Sequence, residues 1–379
     1  MITPSLAMIP QAYKSGKVYS QLPVSGDGDF DFTRASSATR VNKDGFIEEV
    51  AVNVPRLDYS DGDCPSLLLE PARTNLITYS ENLNGTGWSV YSASSGTCTR
   101  TLNYGISPSG KQDSTRVVFS EVNTALYMST NITGDASGTM YVKGVSGEVI
   151  GFGWGASVGS GSNFIFNGEW QRLEFNGTSA NSALTINTFD PERIARDFEI
   201  YGVQMEAGSF ATSYIPTNGV SVTRVAEAAN GAGNASTFND SEGVLFAEIS
   251  ALANGVGLMT IGINDGDGTA DNFVNILYRN NASEVWAQVS GSGSNTNIFL
   301  YDVQQDYNNK IAISYSSNSL KIYINGILKG SANLIALPVG LNSFNFRSAT
   351  NLENFYGNVK KIQYYNTALT DAELQALTA

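Results

Sequence analysis

Apolar and polar residues alternate in short runs along most of this chain, and Gly, Ser and Asn break each run. Alternation with a period of two marks a half-buried strand, because successive strand side chains point to opposite faces. Runs of this kind occupy 114–119, 124–131, 138–143, 149–154, 170–175, 183–187 and 198–206. A second series occupies 244–250, 257–263, 273–278, 284–289, 298–303, 310–315, 320–324 and 355–365. Asn325-Gly326 sits between two of these runs and supplies both positive φ angles of a type I′ hairpin. The one clear helix signal is Thr370 followed by Glu373, the spacing of a capping box. The expected fold class is all-β, with two tandem β-sandwich or jelly-roll domains.

With 379 residues the chain exceeds the ~250–300 at which a single core stops growing. Residues 225–240 are small, polar and Gly-containing, which marks a connection between domains. The expected division is an N-terminal arm over 1–78, a jelly roll over 79–228, a linker over 229–240 and a sandwich over 241–379. The first segment reads as irregular, with Pro55, Pro65 and Pro71 punctuating it. A long stretch of little regular structure is uncommon inside a compact domain. It is therefore expected to wrap on, or dock into, another subunit.

Composition removes several chemistries. The chain has no His, so Ser-His-Asp triads, Cys-His dyads and imidazole metal ligands are out of reach. Its 2 Cys cannot build a Cys-only zinc site. Cys64 and Cys98 read as lone thiols. A net charge of −13 argues against binding nucleic acid or an anionic membrane. No window is apolar enough to insert as a spanning helix, and residues 1–17 lack the pattern of a secretion signal.

Several strings resemble known families. Residues 201–224, YGVQMEAGSFATSYIPTNGVSVTR, resemble a segment of bacteriophage virion proteins that closes a jelly roll similar to carbohydrate-binding modules. FTRASSATRV at 32–41, VPRLDY at 54–59 and LLEPARTNL at 68–76 resemble phage tail and fibre proteins. KIYING at 321–326, FYGNVKKI at 355–362 and YYNTALTDAE at 364–373 resemble laminin-G or concanavalin A-like lectin domains. These resemblances imply a bacteriophage head or tail fibre or related appendage, assembled in the host cytoplasm and displayed on the virion surface. They imply attachment to capsid or tail through the arm, and a homo-oligomer, a trimer by analogy with phage fibres. They further imply host-surface or mucus glycans as ligands and no enzymatic activity. One alternative is a purely structural decoration protein. Another is a jelly-roll polysaccharide-degrading enzyme, which would need two carboxylates, or Tyr with Lys, converging in one cleft.

Residues 264–272 form the best candidate for a cation loop, with Asp265, Asp267 and Asp271 offering oxygens to Ca²⁺. The spacing is not that of an EF-hand, since Ala270 and Ile276 stand where Gly and Glu are needed. The competing reading is a solvated hairpin loop. Asp27, Asp29 and Asp31 make a weaker case. Trp154 and Trp286 are the candidate platforms for a sugar ring, whose apolar face packs on an aromatic plane. Trp88 and Trp170 are expected in the core, and Tyr356, Tyr364 and Tyr365 as ordinary strand aromatics. Glu199 and Glu206 lie seven positions apart on one run, so on a regular strand they would face opposite ways.

Overall fold

The computed structural model describes residues 2–130, 132–155, 161–179, 183–255, 257–281 and 283–379. Its strands pair antiparallel, and Asp371–Thr378 is the only helix among the described residues. That helix carries the expected box. Thr370 Oγ1 accepts from the Glu373 N–H at 3.3 Å, and the Glu373 carboxylate accepts from the Thr370 N–H at 2.8 Å. The all-β sandwich reading holds. The division of the chain differs from the tandem expectation.

Two compact units are present, each drawn from separated stretches. The first takes 1–37, 50–71 and 226–379, and the second takes 38–49 and 72–225. The presumed arm is therefore not free. Leu6–Met8 pairs with Gly357–Tyr365, placing Leu6 opposite Tyr364. Ser66–Leu69 pairs with the same long strand and with Arg56–Asp58. Phe30–Thr33 pairs with Ala228–Ala232, so the presumed linker opens with a strand. These runs are only three to five residues long. Such short pieces carry almost no periodic signal, and Leu6–Met8, Phe30–Thr33 and Ser66–Leu69 are ordered by distant partners.

The first unit is a sandwich of an eight-stranded and a nine-stranded sheet. The central strands of the eight-stranded sheet are Asn309–Ser316, Gly243–Ala251 and Gly357–Tyr365. Those of the nine-stranded sheet include Ala228–Ala232, Ser343–Asn345, Met259–Asn264 and Phe273–Tyr278. Leu245, Ile249, Ile311 and Ile313 pack against Ile261, Ile263, Ile276 and Phe344 in one core. Val285, Ala287 and Val289 point inward while Trp286 and Gln288 lie on the other face, as period-two geometry requires.

Among the buried charged residues of this unit, Arg34, Arg56, Glu70 and Glu227 form one network. Arg34 Nη1 reaches Glu227 Oε1 at 2.8 Å, and Arg56 Nη1 reaches Glu70 Oε2 at 2.7 Å. Arg56 also grips Glu227 with Nε, at 2.8 Å, and with Nη2. Arg34 donates further to the carbonyls of Ser36 at 2.8 Å and Ala51 at 2.6 Å. Burial works against the Arg56 charge, but Glu227 and Glu70 outweigh it and hold its pKa above the usual value. Buried ions are tolerated only with partners of this quality. The network also explains part of the sequence. Three fibre-like strings each contribute one member, and Glu227 lies just beyond the fourth.

The second unit is a jelly-roll-like sandwich of two five-stranded sheets. One sheet runs Trp88–Ser92, Thr124–Ser129, Ala183–Asn187, Val149–Trp154, Ser162–Ile165. The other runs Cys98–Thr101, Thr115–Phe119, Asp197–Ala207, Gly134–Gly144, Gln171–Ser179. Val117, Leu126, Met140, Phe152, Leu184, Val203 and Met205 fill the space between them.

Candidate functional site

The long strand Asp197–Ala207 is not regular. Thr139 opposes Gln204 while Tyr141 opposes Tyr201, so Met140 faces both Gly202 and Val203 across a bulge. Gly202 takes φ +64°, and a Cβ there would press on the Tyr214 ring at 3.3 Å. Phe198 and Ile200 enter the core before the bulge, and Val203 and Met205 after it. Tyr201 is left on the other face, edge-on to Tyr214 with ring centroids 5.5 Å apart. The same shift puts Glu199 and Glu206 on one face, against the regular-strand expectation. They remain about 20 Å apart along the strand, too far to act as a pair. Glu199 accepts from Ser114 Oγ at 2.6 Å, and Glu206 accepts from Thr212 N at 2.9 Å.

Tyr201 and Tyr214 form part of the wall of a cavity of about 660 Å³. Glu81 enters it from the loop after Arg73–Asn75, and Asp113 from the turn before Thr115–Phe119. Tyr214 donates its hydroxyl to Glu81 Oε1 at 2.9 Å and shares a 2.6 Å bond with the Ser80 hydroxyl. Ser109 donates to Asp113 Oδ2 at 2.8 Å, whereas Asp113 Oδ1 is buried with no hydrogen-bond partner. Burial raises the Glu81 pKa most. The Tyr214 hydroxyl pulls it down, the like charge of Asp113 pushes it up again, and the net shift is upward. Burial, then the Glu81 charge, raises the phenol pKa of both Tyr201 and Tyr214, so both remain hydrogen-bond donors. Glu81 and Asp113 also line an adjoining cavity of about 320 Å³.

None of these residues stood out in the sequence. Glu81 and Asp113 are 32 positions apart in turn-rich segments, and only the fold brings them to one cavity. The bulge glycine within the long run was the one local signal, since an isolated Gly in a strand pattern suggests a kink.

The residues singled out from sequence lie elsewhere. Trp154 is half-buried against Phe175 at 5.0 Å, and its indole N–H is buried without a partner. Trp286 is also half-buried. The Arg279 guanidinium lies over its ring at 4.2 Å, Phe299 meets it edge-on at 4.4 Å, and Glu284 Oε1 accepts its N–H at 2.7 Å. One face of Trp286 is thus already covered, and Phe299 is the exposed aromatic of that pair. Trp88 is buried and donates to the Tyr79 carbonyl at 2.9 Å. Trp170 is half-buried and donates to the Ile106 carbonyl at 2.9 Å. Tyr364 and Tyr365 are buried, and burial pushes the Tyr364 phenol up to about 12.

Asp265, Asp267 and Asp271 do not converge. Asp265 Oδ2 accepts from Asn272 at 2.9 Å, and Asp267 Oδ1 accepts from the Thr269 N–H at 2.7 Å and hydroxyl at 2.8 Å. Asp271 contributes its backbone carbonyl to Ser290 at 2.8 Å. Among the described residues, no three acidic, Cys or His side chains are grouped as metal ligands. Asp29 caps the Ser20 N–H at 2.9 Å and Asp31 pairs with Lys17 at 2.6 Å. Both cysteines are free, with Cys98 half-buried and its thiol pushed up to about 11 by burial.

Residues 252–375 match the Laminin_G_3 family, described as the concanavalin A-like lectin/glucanases superfamily. The match lies within the first unit and omits the strands that residues 6–69 add to its sheets. No curated protein matches the chain. Among solved structures, the CBM40 of the Ruminococcus gnavus IT-sialidase bound to α2,3-sialyllactose is similar at 19% identity. That similarity covers 39% of this chain and 88% of the other, with a TM-score of 0.33. Domain 4 of AbnA, an extracellular arabinanase from Geobacillus stearothermophilus, is similar at 15% identity over 45% of this chain and 81% of that one, with a TM-score of 0.31. These likenesses are low and partial, and the sugars bound there belong to those proteins.

Proposed function

We propose that the protein is a bacteriophage virion component, a head or tail fibre or appendage, whose sandwiches bind glycans on the host surface or in mucus. The match of residues 252–375 to the concanavalin A-like lectin superfamily carries the glycan half of this reading. The fibre-like strings at 32–41, 54–59, 68–76 and 201–224 support the virion half. In this reading the protein does no chemistry and works as a homo-oligomer, a trimer by analogy with phage fibres. It contacts other virion proteins through a folded surface rather than a free arm. Many copies on one particle offset weak single sites by raising effective concentration.

Purified protein applied to a bacterial glycan array tests the ligand. Binding to at least one glycan class is expected, and silence across the array overturns that half. Repeating the array in EDTA tests the cation loop. Binding that survives EDTA removes Asp265, Asp267 and Asp271 from any role in it. Reconstruction of an intact particle tests the virion half.

A second reading is favoured by one observation. Glu81, Asp113, Tyr201, Tyr214 and Lys111 share one cavity, and an enzyme that cleaves polysaccharides would need such a gathering. A raised carboxyl pKa is what a general acid requires. Release of new reducing ends from host capsule would favour it over the binding reading.

A further inference from the structure

We propose that the Glu81–Asp113 cavity of the second unit takes a sugar bearing a protonated amine, such as a hexosamine unit of a de-N-acetylated polysaccharide. This rests on the reading that the protein binds glycans, and it names the class of sugar.

The argument begins with charge. Glu48, Glu49, Glu81 and Asp113 line the cavity, and Lys111 is the only lysine or arginine among the described lining residues. Glu48 is already neutralised by Arg40 at 2.7 Å. Lys111 is exposed and acts on Glu81 as the weakest of the influences upon it. Glu81 and Asp113 are therefore left facing each other's charge without a close cation. A like-charged pair of this kind is relieved by an incoming positive group and made worse by an acidic sugar.

Shape and chemistry narrow the occupant further. A space of about 660 Å³ falls within the range that holds a small organic ligand. A bare metal ion fits poorly, because the described carboxylates do not gather in threes. The walls combine Phe46 and two tyrosines with hydroxyl and amide groups from Ser109 and Asn42. Aromatic planes suit the C–H face of a pyranose, and the polar groups suit its hydroxyls. An ammonium on that ring supplies the charge the carboxylates lack. N-acetylation would remove the charge and add bulk at the same point.

The test is calorimetric titration of the full chain with a chitosan tetramer and, separately, with the N-acetylated chitin tetramer. The expected result is at least tenfold tighter binding of the amine form. Asp113→Asn and Glu81→Gln should each weaken that binding at least fivefold while circular dichroism stays unchanged. Glu81→Gln keeps an acceptor for Tyr214, so it guards against a folding artefact. Equal binding of both tetramers, or full binding by both variants, would overturn the proposal. So would putrescine competing as well as the chitosan tetramer, since the site would then read amines and not amino sugars. If neither tetramer binds while the array shows another glycan bound, this inference falls and the wider glycan reading stands.

Discussion

The two units use acidic residues in opposite ways. In the first, Glu70 and Glu227 are matched by Arg34 and Arg56, and every member is buried and multiply bonded. In the second, Glu81 and Asp113 share a cavity in which the one described lining lysine or arginine, Lys111, is exposed. A closed and balanced set of charges holds backbone segments together and has nothing left to offer a ligand. An unbalanced set beside open space costs the fold something and keeps an electrostatic demand for a partner. The contrast separates scaffold from site more sharply than residue type does.

The strongest way to break this comparison is Glu227→Ala. It leaves the buried Arg34 guanidinium without its carboxylate and Arg56 with Glu70 alone, and is expected to cost roughly 3–5 kcal/mol, read as a fall in the urea midpoint. A loss below about 1 kcal/mol would mean that water reaches the network and that it is not the closed set described. Tyr214→Phe comes next. It removes the hydroxyl that joins Ser80 to Glu81 and should cost about 1–3 kcal/mol, with the larger part at neutral pH. Thr370→Ala lies in neither charge site and gives a scale for both. Loss of the helix cap should cost about 1 kcal/mol by the same unfolding measurement.

Glu81→Gln has the smallest expected effect and the most specific sign. The folded carboxyl has a raised pKa, so folding takes up a proton in the interval above the ordinary carboxylate value. Stability of the natural protein is therefore full at low pH and falls as pH rises through that interval. Glutamine carries no such loss. The variant should melt higher than the natural protein at pH 7, and the difference should close as the pH is brought below 4.5. A variant that melts lower at pH 7 would show that Glu81 is stabilised as an anion, and the contrast between the units would weaken.

Much of the architecture was legible in the sequence. Period-two runs placed most of the longer strands, and Asn325-Gly326 and Thr370 with Glu373 marked a hairpin and a helix start that the structure contains. The short N-terminal pieces were not legible as strands, because Leu6–Met8 or Arg56–Asp58 offers a single turn of the alternation. Leu6–Met8 finds its partner in Gly357–Tyr365, near the other end of the chain, and pairing at that range leaves no local trace. The site was less legible still. Trp286 stood out because tryptophan is rare here, yet Arg279 covers it. The Asp265 loop stood out because its aspartates are dense, yet they bond within their own turns. Glu81 and Asp113 sit in unremarkable surroundings, and their meaning comes from a bulge at Gly202 and from two tyrosines brought beside them.

The interleaving of the two units has a consequence for how the chain is made. The ribosome has released every strand of the second unit once residue 224 emerges. The first unit must wait for Gly357–Tyr365, the strand on which Leu6–Met8, Ser66–Leu69 and Gly243–Ala251 all pair. Its earliest strands thus spend most of translation with unsatisfied edges, which is the circumstance that favours off-pathway association. A fragment beginning near residue 226 would inherit the same defect permanently, however well its own strands are formed.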